Sequence, residues 1–176
     1  MRKHSPLVVI LLAACLPLLA AASPLVVKLL PTPRDKGLSQ WKAVPNAVQY
    51  GKGEGLTEIY DGAYKDYVDA GVVDAVRNLY QRGNDYTEVT IHTMKSNKSA
   101  AGFFRRETKS VNPKRITRRS DRAMAVSGGK GYGVTGRYYV TSVAMYSGAK
   151  ADKDARTFIE AALKRAALAG KAAKKK

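Results

Sequence analysis

Val72–Tyr80, rich in Val, and Tyr86–Met94, in which apolar and polar positions alternate over Val89-Thr90-Ile91-His92, read as two strands with Gly83-Asn84-Asp85 between the runs. Such alternation turns one face of an extended chain toward a core, and the Gly-Asn-Asp break supplies hairpin chemistry. In the second run Thr87, Val89, Ile91 and Thr93 share one face, and Glu88, Thr90 and His92 share the other. With polar neighbours on its face, His92 is read as a surface residue. Upstream, Leu56, Tyr60, Ala63, Tyr64, Tyr67 and Val68 recur at helical spacing. They predict a helix from Leu56, with a tyrosine stripe facing the core and Gly71 as its stop. Gly62 falls inside that helix, where it costs about 1 kcal/mol against Ala, and is read as a point of close approach to the sheet.

A short helix is expected from Asn97 or Ser99 through Phe104, followed by a turn at Asn112-Pro113. Strands are expected over 115–119, 123–126, 132–134 and 137–146, with a turn at Gly128-Gly129-Lys130-Gly131. Tyr138 to Tyr146 is apolar on both faces, the mark of a central strand. The last helix, capped near Asp152, carries the buried stripe Ala155, Phe158, Ile159, Ala162, Leu163 and Ala166. The order helix, hairpin, helix, several strands, helix predicts a single α+β domain over 47–168, an antiparallel sheet with two to three packed helices. Residues 23–46, with Pro24, Pro31, Pro33 and Pro45, read as a lead-in. Trp41 within it reads as a core or rim anchor. Residues 169–176 read as a frayed Lys-rich tail.

The first residues add a compartment. Arg2 and Lys3 precede an apolar run from Leu7 to Leu16, Pro17 interrupts it, and the small residues Ala20, Ala21, Ala22 and Ser23 follow. This is the layout of a secretory signal, residues 1–22, cut after Ala22. An alternative stays open: Leu12-Ala13-Ala14-Cys15 resembles a lipoprotein box, with Cys15 as the lipidated residue. An uncleaved anchor is disfavoured, because a span needs about 20 apolar residues. The expected location is therefore periplasmic or secreted, or lipid-anchored to the envelope, with no transmembrane span in the mature chain. Cys15 is the single cysteine, so no intramolecular disulfide can form.

The net charge of +17 favours anionic partners. The densest basic stretch holds Arg105, Arg106, Lys109, Lys114, Arg115, Arg118, Arg119 and Arg122, against Glu107 and Asp121 alone. These eight are the candidate anion-binding residues, and a solvated charged face is the competing reading. Phe103 and Phe104 at its start are the only aromatics nearby and none is interleaved, which weighs against single-stranded nucleic acid, whose binding sites use stacking platforms. An anionic envelope surface or an acidic protein is the expected partner, ahead of nucleic acid.

Candidate chemistry is sparse. With the signal removed, His92 is the only histidine, so neither Cys-His catalysis nor a conventional zinc site can be assembled. Gly128-Gly129-Lys130-Gly131-Tyr132-Gly133 lacks the spacing of a phosphate loop. No catalytic, cofactor-binding or metal-binding residues are assigned. Asp66 and Asp69 are neighbours on the expected helix and Asp61 lies apart, which gives paired-carboxylate hydrolysis weak support.

Several segments carry a resemblance. They are Leu29-Leu30-Pro31, Trp41, Ile59–Val72 with Asp61-Gly62-Ala63, Val89–Met94, Ala101-Gly102-Phe103 and Tyr138-Tyr139-Val140. In this order they resemble an exported bacterial family known only as domain of unknown function 6599, over roughly residues 29–147. Asp61 stands where that family has Asn. The resemblance implies an exported α+β domain, no known activity and no catalytic residues, with Asp61 and Gly62 as the one segment singled out. The expected function is a non-catalytic envelope protein with an anion-binding basic surface. The alternatives are a hydrolase using Asp61 and Asp66, and an exported nucleic-acid binder.

Overall fold

The computed structural model describes residues 24–173. The expected signal, Cys15 and the last three lysines lie outside the described residues. Eight strands form one antiparallel sheet, flanked by three helices in a single α+β domain. The hairpin of β3 (Val72–Arg82) and β4 (Asp85–Met94) turns through Gly83-Asn84, with Gly83 at φ 59. Two short strands, β1 (Lys42–Ala43) and β2 (Gln49–Lys52), lie end to end along the outer edge of β3. On its other side β4 pairs with β8 (Tyr138–Ala144). The sheet then continues through β7 (Lys130–Thr135) and β6 (Arg122–Ser127) to β5 (Ile116–Arg119), which closes the order. β8 is buried on both faces as its sequence predicts, with Tyr138 and Val140 in one core layer and Tyr139 in the other.

The longest helix, α3 (Ala149–Ala173), lies across β6, β7 and β8. Its expected stripe from Ala155 to Ala166 is fully buried, and Phe158, Ile159 and Leu163 each contribute about 1.5–3 kcal/mol by burial. The glycines of β7 make this approach possible. A Cβ on Gly131 would stand 2.7 Å from Ile159 Cγ1, and one on Gly133 would stand 2.7 Å from Ile159 Cγ2. Asp152 is not the cap. The helix follows Gly148 at φ 94, and Asp152 instead accepts the Gly129 amide at 2.6 Å. Nor does the helix fray at Gly170, for it runs to Ala173 through an Ala-rich segment of high helix propensity.

The lead-in belongs to the domain. Val26, Leu29, Leu38 and Trp41 enter the same core layer as α3. Trp41 meets Phe158 edge-on at 5.0 Å, and the Arg82 guanidinium lies 4.4 Å over its ring. Tyr80 donates its hydroxyl to the Pro31 carbonyl at 2.9 Å, and Arg165 donates to Asp35 at 2.9 Å. Between its prolines this segment forms successive turns that pack on the sheet.

The opposite face is covered by residues 53–71 and by α2 (Asn97–Glu107). Ser96 caps α2, its hydroxyl accepting the Ser99 amide at 3.0 Å in a reciprocal capping box. The expected helix from Leu56 does not form as one piece. Gly53–Glu58 is a 3-10 turn, Gly62 takes φ 70, and only α1 (Tyr64–Asp69) is α-helical. Left-handed backbone at Gly62 breaks the helix, so this glycine marks a turn and makes no close approach to the sheet.

Candidate functional site

Strand alternation sorts the side chains of the β5–β6 hairpin. Thr117 and Arg119 lie opposite Met124 and Arg122, and all four face the side of the sheet that α3 occupies. Arg156, Glu160 and Lys164, spaced one helical turn apart, form the row of α3 that flanks them. The Asp35-Lys36-Gly37 turn of the lead-in completes the walls. The result is a cleft of about 680 Å³. Lys36, Arg119, Arg122, Arg156 and Lys164 face Asp35 and Glu160 across it, five cations to two carboxylates. Asp35 is already engaged by Arg165, and among the described residues Glu160 is the one carboxylate of the cleft outside an ion pair. Arg122 is shared with the exposed Asp121 at 3.3 Å. Charges of one sign lining a concave surface focus the field and concentrate counter-ions there. Met124, Ala161 and Leu163 give the cleft an apolar floor.

The eight basic residues marked by the sequence do not form one surface. Arg119 and Arg122 line the cleft. Arg118, the intervening strand residue, turns to the opposite face. Arg115 pairs with Asp152 at 3.0 Å near the head of α3. Arg105 and Arg106 sit on α2, across the sheet, where Arg106 lies 4.2 Å over the Phe103 ring and pairs with Glu107. Lys109 and Lys114 are exposed between α2 and β5. Lys36, Arg156 and Lys164 join the cleft without having been singled out. The spacing of Arg156 and Lys164 on the exposed side of the last helix was a usable signal, whereas Lys36 comes from a turn with no pattern.

Asp61 and Gly62 are exposed in the turn before α1, and Asp66 is exposed on α1. Neither carboxylate lines the basic cleft or the smaller hollow beside Arg77 and Glu88.

His92 is buried, at 2 % exposure, contrary to the surface placement expected of it. The segment 53–71 and α2 cover its face of β4, and a local polar alternation carries no sign of that cover. Its Nδ1–H donates to the Tyr139 carbonyl at 3.1 Å, leaving Nε2 to accept the Tyr60 hydroxyl. Tyr60 stacks on Tyr67 with ring centres 3.6 Å apart, and Phe103 and Tyr139 pack at 4.8 Å. Burial lowers His92 to about 4, so the ring is neutral. Burial also pushes the phenols of Tyr60 and Tyr139 well above their ordinary range. A neutral imidazole closed in by aromatics pins residues 53–71 to β4 and exposes no nucleophile.

Among the described residues no group of three or more His, Cys, Asp or Glu is placed to hold a metal ion, and no helix is long and apolar enough to cross a membrane. Fold and cleft together define an α+β antiparallel-sheet protein with a basic cleft beside one sheet edge. No protein-family model, curated protein or solved structure matches the chain. Of the sequence segments singled out above, Leu29, Trp41, Ile59, Val72, Met94, Phe103, Tyr139 and Val140 are buried, whereas Asp61 and Gly62 are exposed.

Proposed function

We propose that the chain is an exported, non-catalytic envelope protein that binds an anionic ligand in the cleft between α3 and the β5–β6 hairpin. The observation that carries this reading is the convergence of five cations from three separate segments on one concave surface. A charged run on a single exposed helix would be an ordinary solvated face. Convergence of Lys36, Arg119, Arg122, Arg156 and Lys164 from distant parts of the sequence needs the fold, and it brings the charge above an apolar floor. The exposed positions of Asp61 and Asp66 give hydrolysis no enclosed site. The division of the Arg105–Arg122 stretch between two faces favours a local anion site over the continuous stripe that a duplex nucleic-acid binder would use.

Co-sedimentation with neutral and anionic vesicles, and titration with inorganic polyphosphate, test the reading across a salt series. Binding of the anionic probes should fall steeply as salt rises. Arg119→Glu and Arg156→Glu should each weaken it by about tenfold, the scale of losing one charge-assisted contact. Arg105→Glu, on the other face, should leave it nearly unchanged. Equal loss in all three variants would reduce the effect to net charge, and binding indifferent to salt would sink the reading.

A further inference from the structure

The cleft lies beside an edge of the sheet that no other described strand covers. At the other end, the edge of β3 is covered by β1 and β2, both short. Among the described residues β5 pairs with β6 alone. The β5–β6 hairpin closes through the two residues Ser120 and Asp121, so Arg119 and Arg122 form its last directly opposed pair. In an antiparallel ladder the hydrogen-bonded and non-bonded pairs alternate. The pairs Arg119–Arg122 and Thr117–Met124 therefore use their backbone groups within the hairpin. Ile116 and Arg118 turn their N–H and C=O groups away from β6, toward open space. The side chains follow the same alternation: Thr117 and Arg119 face the cleft, and Arg118 faces the other side of the sheet.

We infer that β5 is a docking edge for an extended acidic polypeptide, which adds to the sheet as a ninth strand beside β5 and places alternate carboxylates in the basic cleft. This rests on the reading of the cleft as an anion site and names its ligand class. Charge complementarity selects the occupant. A second copy of this chain adding through its own β5 would set Arg118 and Arg119 against like charges, which is the arrangement natural edges use to prevent self-association. An acidic strand meets the reverse situation. Its main chain bonds the outward groups of Ile116 and Arg118, and its carboxylates on the α3 side meet the row of Arg156 and Lys164 together with Arg119. Main-chain bonds give affinity in this mode, and alternate side chains give specificity. The acidic segment is thus read with period two.

The test uses the full chain and three synthetic peptides: one alternating Glu and Thr, one N-methylated at every Glu, and one N-methylated at every Thr. An added strand bonds the sheet along one of its edges only, and N–H groups on its two edges belong to alternate residues. One methylated peptide should therefore bind about tenfold more weakly than the parent, and the other should match it. Arg118→Pro should weaken the parent peptide by a similar factor relative to Arg118→Gln. The Arg118 amide is not used by β6, so thermal melting should show both variants folded. Equal behaviour of the two methylated peptides, whether both bind or both fail, overturns strand addition. So does failure of the parent peptide where polyphosphate still binds in a manner sensitive to Arg156→Glu, an outcome that leaves the anion cleft standing. Failure of every probe removes both.

Discussion

His92 stays neutral because its ring is closed off from water and its Nδ1–H is committed to the Tyr139 carbonyl. Its pKa in the fold, about 4, lies below the unfolded value of about 6.5. The unfolded chain therefore binds the extra proton first as pH falls. The His92 contribution to stability is complete above about pH 6.5, declines between there and about 4, and is level below, a difference of about 3 kcal/mol. Asp85, held below the usual carboxylate range by Lys150 and then Arg82, acts only beneath that window. Urea unfolding at a series of pH values should show the decline, and His92→Gln should flatten it; an unchanged slope in the variant would assign the effect elsewhere. Asp154 presents a second residue-scale test. It is buried, accepts Arg82 at 2.5 Å and accepts the Tyr146 hydroxyl at 2.5 Å. Asp154→Ala leaves Arg82 without that partner over Trp41 and should cost about 3 kcal/mol in denaturant melts. Neither role was legible from the sequence. His92 sits in a polar alternation that a helix covers from elsewhere, and the partner of Asp154 is far away along the chain.

At the scale of elements, the buried stripe of α3 is legible from its helical period, the two long strands from their β-branched residues on either side of a hairpin turn, and the central strand from its apolar run. The segment 53–71 was misread because Tyr60, Tyr64 and Tyr67 keep helical spacing across a break at Gly62, and periodicity does not register a positive φ. The glycines around β7 have two distinct uses. Gly128 and Gly129 turn the chain with φ 60 and 75, while Gly131 and Gly133 clear room for α3. Gly133→Ala should push Ile159 out of place and cost about 1–3 kcal/mol, read as a lower urea midpoint with an unchanged slope. Combined with Ile159→Ala, the loss should be smaller than the sum of the two single changes. Strict additivity would show that α3 does not rest on that glycine.

Across the whole molecule, the excess of cations acts on stability as well as on binding. A net charge of +17 repels itself in the compact state, and added salt screens that repulsion. The melting temperature should rise between low and moderate salt while binding of anionic probes falls, a pair of opposed trends that one salt series can record. A melting temperature that falls with salt would mean that ion pairs such as Arg82–Asp154 outweigh the repulsion. The composition made the charge legible, but not its distribution. Pleating of β5 sent Arg118 and Arg119 to opposite faces, and packing of the lead-in against α3 brought Lys36 to the cleft.

Val26, Leu29 and Trp41 share one core cluster with Phe158 and Ala162, and Arg165 donates to Asp35 and to the Lys28 carbonyl, which joins the first described segment to the last. This has a consequence in time. A growing chain that has emerged only as far as β8 has every described strand of the sheet and the lead-in, but not the helix that lies over β6, β7 and β8. Trp41 and its neighbours then have no helix to close on. Completion of this core layer waits for α3, so the long-range contacts of the lead-in close only after all the described strands have been made.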